Sequence, residues 1–318
     1  MSRVMASPAG LAPRARVRSG GSPAEQGRRK IYWPFITPAL LFYVGFFVVP
    51  ALYGVWVSFV KWRGMGDPQV FVGFGNYRRM WRDESFRMAF TNTITILIVC
   101  GVGVFACSFL ISSILRELKL GPVLRTIMFV PHLLSPIAVG IGLGLLLSPD
   151  GLLNATLRLA GLGSAAQLWL TPDWIFKMIL IATIWGSTGY YVMLMASAIG
   201  RIPGYYYEQA ALDGAGRFRA FLHVTLPLTW DLVSVTAVLW MISAIRIFEF
   251  VYGLVGTGAN PPPQARTMTI EVFLTTTGGA PAQYDMGLGS AMAVVMVLMT
   301  LVLVVAVRRF MRREALEF

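Results

Sequence analysis

The sequence predicts an all-α integral membrane protein with six transmembrane helices and both termini in the cytoplasm, and three observations lead there. Of the 318 residues, 56% are hydrophobic and 13% are charged, against roughly 25% charged in soluble domains. The apolar residues fall in long runs almost free of charge, each near the roughly 20 residues that a helix needs to cross a hydrocarbon core of about 30 Å. The basic residues lie mainly between those runs, with a bias that sets an orientation. A soluble fold of long buried helices is excluded, because no polar face alternates with the apolar one.

Residues 1–30 are rich in Ser, Gly, Pro, Ala and Arg and lack aromatic residues. They carry seven basic side chains, Arg3, Arg14, Arg16, Arg18, Arg28, Arg29 and Lys30, against Glu25, the composition of a disordered basic tail. The uncharged run 31–60 far exceeds the roughly 7–15-residue core of a secretory signal, so it reads as an uncleaved first span bent by Pro38 or Pro50. Residues 61–87 then form an extracytoplasmic loop. Five further runs, 88–115, 126–149, 178–200, 232–255 and 286–307, supply the remaining spans, the fifth span broken by Arg246 and Glu249. Residues 88–310 thus read as a five-span core and 311–318 as a cytoplasmic tail.

The net charge of +12 would suggest a nucleic-acid partner on a polar protein. Its location removes that reading. Segments assigned to the cytoplasm hold seventeen of the 27 Lys and Arg, outside segments hold nine, and Arg246 lies within a span. The surplus records membrane orientation. The loop 61–87 runs against the bias, with Lys61, Arg63, Arg78, Arg79, Arg82 and Arg87 partly balanced by Asp67, Asp83 and Glu84. Its Tyr77, Met80 and Trp81 read as seats at the membrane interface. Cys100 and Cys107 share one apolar run seven residues apart, which argues against a disulfide framework and a Cys metal site.

Between the fourth and fifth spans, the cytoplasmic segment 201–228 is far longer than antiparallel helices need. Pro203 and Gly204 end the preceding helix, a short helix starts near Tyr206, Gly214 and Gly216 make a joint, and a second short helix follows from Arg217 until Pro227 opens the next span. Ala210, Ala211, Gly214 and Ala215 make a small-residue face, and Phe218, Phe221 and Leu222 supply apolar knobs. Two readings stay open on pattern alone: a hairpin covered by a partner, or an in-plane helix packed on its own spans.

This segment resembles the cytoplasmic loop of the membrane (permease) subunits of bacterial ATP-binding-cassette importers, whose pattern is Glu-Ala-Ala, three residues, Gly, nine residues, Ile, one residue, Leu-Pro. Glu208-Gln209-Ala210 stands for Glu-Ala-Ala, Gly214 follows at the family's offset, Val224 occupies the Ile position and Leu226-Pro227 closes the pattern. The run from Tyr207 through Glu208, Ala211, Asp213, Gly214 and Ala215 is similar to the carbohydrate-uptake branch, the maltose, glycerol-phosphate and lactose type. Phe71-Val72-Gly73, Asn76-Tyr77, Asn92-Thr93 and the stretch from Tyr284 to Ala291 resemble that branch as well. Thr257-Gly258-Ala259-Asn260-Pro261 departs from the branch's Thr-x-Gly-Gly-Pro.

The resemblance implies the type I ABC importer transmembrane-domain fold in the bacterial inner membrane. It further implies a second homologous permease subunit, two ATP-hydrolysing subunits that dock on the loop, and an extracytoplasmic solute-binding protein. Its site residues would be Tyr207, Glu208, Gln209, Ala210, Ala211, Asp213, Gly214, Ala215, Phe218, Val224, Leu226 and Pro227. Asp213 is expected to cap the second short helix. ATP and Mg would sit on the partner subunits, since this chain has no Gly-Lys dipeptide from which to build a phosphate-cradling loop. No catalytic constellation or metal-ligand spacing is present, and His132, between Pro131 and Pro136, reads as a structural helix-end residue.

Charged residues inside spans are functional candidates. Arg246 and Glu249 fall at i and i+3 and are expected to share a face of the fifth span. They either line a solute path or neutralise each other at a helix contact. Asn92, Trp185, Tyr190 and Tyr191 are further candidates for the path, aromatic rings being suited to stacking on sugar faces. The rival from another class is an ion-coupled secondary transporter or channel, which would explain the spans but not the patterned hairpin.

Overall fold

The computed structural model describes residues 23–256, 260–279 and 284–311, with side chains from Trp33 onward except that of Glu117. Most of the basic tail, the tail after Met311 and Thr257-Gly258-Ala259 lie outside the described residues. The chain divides into two compact units, Met1–Tyr53 and Gly54–Phe318.

Helix α1 (Pro23–Tyr43), in the first unit, passes through a π-helical turn, Val44–Val48, into α2 (Val49–Val57), whose last four residues belong to the second unit. The stretch Trp33–Val57 is one apolar helix of 25 residues with mean hydropathy 2.1. The sequence predicts a bend at Pro38 or Pro50; the helix is continuous through both positions. The hydroxyl of Thr37 donates to the Trp33 carbonyl next to Pro38, and the wide turn before Pro50 accommodates the ring and the missing N–H.

The second unit continues with a short antiparallel hairpin, β1 (Val60–Lys61) and β2 (Val70–Phe71). Helix α3 (Gly75–Arg82) follows, and then α4 (Glu84–Thr95) runs through a π turn into α5 (Gly101–Glu117). Asp83 starts α4 as its N-cap, accepting from the backbone N–H groups of Ser85 and Phe86. Helices α6 (Gly121–Leu133) and α7 (Pro136–Leu146) meet at 95°, where Pro131 and Pro136 interrupt the ladder. After α8 (Leu152–Leu159) comes the long α9 (Ile175–Arg201), then α10 (Gly204–Leu212), α11 (Arg217–Ala220) and α12 (Leu226–Leu228). The chain ends with α13 (Trp230–Ile245), α14 (Glu249–Val255), α15 (Met268–Thr277) and α16 (Met286–Phe310). Among the described residues four helices are long and apolar enough to cross a membrane, or up to six if each bent pair is one crossing.

Side-chain contacts fix helix directions. Cys100 Sγ meets the Leu180 carbonyl, Ser108 Oγ the Thr188 carbonyl and Ser112 Oγ the Val192 carbonyl, always 80 residues apart. A constant offset means that α5 and α9 run parallel. Helix α13 opposes them, because Val233 near its start packs with Phe109 while Trp240 farther on donates to the Leu97 carbonyl. Helix α16 opposes α13, since Trp230 Nε1 donates to the Met311 carbonyl. The end of α5, the segment 202–229 and the end of α16 therefore share one side. The β-hairpin, α3 and α15 share the other, where Arg79 bonds Asp285 at 2.8 Å and Gly287 N–H donates to the Trp62 carbonyl.

Missing side chains let helices approach. A Cβ on Gly189 of α9 would strike the Met128 carbonyl of α6, one on Gly140 of α7 the Phe250 carbonyl, and one on Gly253 of α14 the Ile137 carbonyl. Close backbone contact of this kind supplies the van der Waals attraction that holds apolar helices together where lipid is as apolar as they are.

Candidate functional site

The hairpin 201–228 is built by two local devices. Helix α10 ends in a Schellman motif: Ala215 N–H donates to the Ala210 carbonyl and Gly214 N–H to the Ala211 carbonyl. The motif requires a left-handed residue just past the helix, and Gly214 takes it at φ 74°. The second device lies before Pro227, where a π turn, Phe221–Thr225, widens the helix ahead of a residue that cannot donate. Beyond it the helical stretch Arg217–Leu228 turns by 77° into Trp230–Ile245.

The pattern residues separate into two groups. Tyr207 faces its own protein: its hydroxyl lies 2.9 Å from Thr225 Oγ1, and the Arg116 guanidinium sits 3.9 Å from its ring centroid. Phe221 packs edge-on against Phe109, and Leu226 joins the same cluster. Val224, Ala210 and Ala215 line a groove of about 320 Å³ between the two short helices. Glu208, Gln209, Ala211, Asp213 and Gly214 face solvent, as do two large apolar side chains, Leu212 at 88% and Phe218 at 75% exposure.

One sequence expectation changes here. Asp213 does not cap the second helix; it closes α10, and Gly216 holds the N-cap position of α11 without a side-chain bond. The Schellman motif uses Gly214 and Ala215, which moves the next helix start beyond the reach of Asp213. Of the apolar knobs, Phe221 packs on its own spans while Phe218 stays exposed. Leu212, an apolar residue directly before Asp-Gly, and Arg116, a basic residue ending a span, join the site beyond the pattern residues.

Tyr207 supplies a stability prediction. Tyr207→Ala removes a hydrogen bond and a cation–π contact, which together are expected to cost about 1–2 kcal/mol. The check is a thermal unfolding scan of the purified protein, and a midpoint equal to wild type would show that the hairpin is not anchored this way.

The second feature is a cavity of about 1010 Å³ at the junction of α13 and α14, walled by α16. Arg246 and Glu249 both line it and both are exposed. They do not share one helix face, as their spacing had suggested: α13 stops at Ile245, Arg246 is its C-cap, and α14 restarts at Glu249 before packing on α7. Among the described residues no ion pair joins them. The cavity walls include the polar side chains of Ser243, Thr269 and Thr300 and the apolar ones of Met296, Val297 and Leu301.

The other path candidates lie elsewhere. Asn92 is buried, and its Nδ2 donates to the carbonyls of Pro263, Gln264 and Arg266, clamping that segment. Tyr191 is buried between Phe105 and Trp240. Tyr190 stacks on His132 at 4.5 Å, and Trp185 is exposed on α9. Beside the clamp, Arg266 meets Glu271 at 3.1 Å; burial raises the Glu271 carboxyl above its ordinary range while the guanidinium pulls the other way.

Comparisons with known proteins fit this architecture. The chain is 32% identical over 231 residues to the probable ABC transporter permease protein YurN of Bacillus subtilis (strain 168), covering 70% of this chain and 78% of that one. It is 30% identical over 246 residues to the lactose transport system permease protein LacF of Rhizobium radiobacter, covering 76% and 81%. To the diacetylchitobiose uptake system permease protein NgcF of Streptomyces coelicolor it is 30% identical over 282 residues, covering 83% and 79%. Its fold matches a chain of a bacterial ABC transporter that imports the acidic polysaccharide alginate, with TM-score 0.77 at 22% identity over 92% of this chain and 99% of that one. Residues 102–315 match the family model, so the chain belongs to the binding-protein-dependent transport system inner membrane components.

Proposed function

We propose that this chain is one of two membrane subunits of an ATP-driven importer, and that the hairpin 201–228 is the surface on which an ATP-hydrolysing subunit docks. The observation that carries this reading is the exposed Leu212 and Phe218 on a rigid hairpin whose position is fixed by Gly214 and Tyr207. Apolar side chains so exposed at a helix joint find their energy in burial against a partner. Glu208 and Asp213 rim them as charge partners for basic residues.

Six crossings belong to this reading. The parallel course of α5 and α9 supports counting the bent pair α6–α7 between them as one span. With residues 31–60 counted as the first crossing, both termini are cytoplasmic in this reading. The hairpin side carries Arg116, Lys119, Arg125, Arg201, Arg217, Arg219, Arg308 and Arg309, the composition of a cytoplasmic face. Residues 1–30 and 311–318 are then cytoplasmic tails, 61–87 is extracytoplasmic and 88–310 is the five-span core.

The cavity at the α13 break is part of the solute path in this reading, with Arg246 and Glu249 as its charged groups. A sugar, an oligosaccharide or a related polyol suits a site with both charges and several hydroxyls, and the lactose and diacetylchitobiose permeases among the relatives support that class. An extracytoplasmic binding protein delivers the solute, and ATP with its magnesium belongs to the partner ATPase subunits. Family membership sets aside the nucleotide-free carrier. The purified chain is expected to hydrolyse no ATP, whereas the reconstituted complex hydrolyses it in a solute-dependent way; hydrolysis by the chain alone would overturn this division of labour.

A further inference from the structure

The six basic residues of 61–87 are not accounted for by import. We propose that the collar formed by the β-hairpin and α3 binds the phosphate headgroups of anionic phospholipids, in the leaflet opposite the docking hairpin, with Arg78 and Arg82 as the phosphate ligands.

The collar has the aromatic composition of a membrane interface. Trp56, in the last turn of the helix Trp33–Val57, stacks on Phe71 at 5.9 Å. Phe59 carries the aromatic band onward, touching Phe74 and Tyr77, the latter on α3. Trp56, Phe71 and Phe74 are 51%, 65% and 67% exposed, which is how aromatic belts sit at a membrane interface. Helix α3 adds the charge. Its Asn76 and Met80 face the protein and are buried, while Arg78 and Arg82, at i and i+4, share the opposite, exposed side.

Neighbouring charges leave these two arginines available. Arg79 on the same helix is already held by Asp285 at 2.8 Å, and the Asp83 carboxylate is occupied in capping α4. Among the described residues neither Arg78 nor Arg82 has an ion-pair partner. A guanidinium presents a fork that matches phosphate oxygens. Two of them above an aromatic belt complement an anionic headgroup.

The test uses the complete transporter complex in nanodiscs of phosphatidylcholine, with and without phosphatidylglycerol, followed by native mass spectrometry of the lipids that stay bound. Wild type should retain phosphatidylglycerol over phosphatidylcholine, and Arg78→Gln with Arg82→Gln should lower that retention by on the order of tenfold or more. Retention should also fall as salt rises in the wild type, a readout that stands if the double variant fails to assemble. Equal retention in wild type and variant, or retention indifferent to salt, overturns the proposal. So does loss of association with the extracytoplasmic binding protein while lipid retention is unchanged, which would assign the collar to an acidic protein surface.

Discussion

Replacing Gly214 by Val is expected to cut solute uptake by about tenfold or more while the chain still inserts and accumulates in the membrane. The hairpin geometry depends on a left-handed residue at φ 74°, and no side chain stands within 4 Å of a Cβ built there, so the effect is one of backbone conformation and not of crowding. A residue with a Cβ pays about 1–2 kcal/mol for that conformation, and a β-branched one more. Helix α10 then loses its stop, and the population with Leu212 and Phe218 correctly presented falls about tenfold or more. Asn visits this conformation more readily, so Gly214→Asn should keep most of the uptake. Glu208→Lys should match Gly214→Val in uptake without disturbing the fold, since Glu208 is exposed and in the proposed docking its charge would meet the partner. Normal uptake in both Gly214→Val and Glu208→Lys would remove the docking role.

Gly189→Ala carries the second large effect, this time on folding. Its Cβ would drive into the Met128 carbonyl and crowd the Phe129 N–H, both backbone atoms of α6, so no rotamer change relieves it. Overpacking costs typically about 1–3 kcal/mol, and a clash of backbone against side chain belongs at the top of that range. On the same helix Gly186 has nothing within 4 Å of a built Cβ. Gly186→Ala should therefore be neutral or stabilising by up to about 1 kcal/mol, as Ala favours helix over Gly. Thermal unfolding of the two purified variants decides between them. Equal midpoints would mean that α6 does not lie against α9 at this depth.

Much of the fold was legible because a membrane imposes coarse rules. Length without charge marks crossing helices, and basic residues mark their ends. The hairpin was legible because two of its pattern residues meet backbone demands: a glycine where the helix must turn left-handed, a proline where it must bend. What escaped was set by tertiary packing. The run 232–255 reads as one span, yet the chain leaves the helix at Arg246, because a cavity can solvate a charge and free backbone groups where lipid cannot. The run 126–149 bends by 95° at a pair of prolines whose meaning depended on α9 and α14 closing around them. Asn92 is an amide close to a span end, and nothing in its sequence neighbourhood distinguishes a solute contact from a clamp on three carbonyls 171 to 174 residues away. Asp213 has the residue type of an N-cap, but the turn that follows uses the positions a cap would need.

The central claim is that the outward face of the hairpin meets an ATP-hydrolysing subunit, and site-directed cross-linking tests it most directly. In a chain with Cys100 and Cys107 replaced by Ser, Leu212→Cys would carry a short thiol-reactive cross-linker within the intact complex, with Val305→Cys, exposed on α16 away from the hairpin, as the comparison. The account predicts an adduct between residue 212 and the ATPase subunit and none from residue 305. An adduct from 212 to the membrane subunits alone, with the ATPase subunit unmodified, would contradict it.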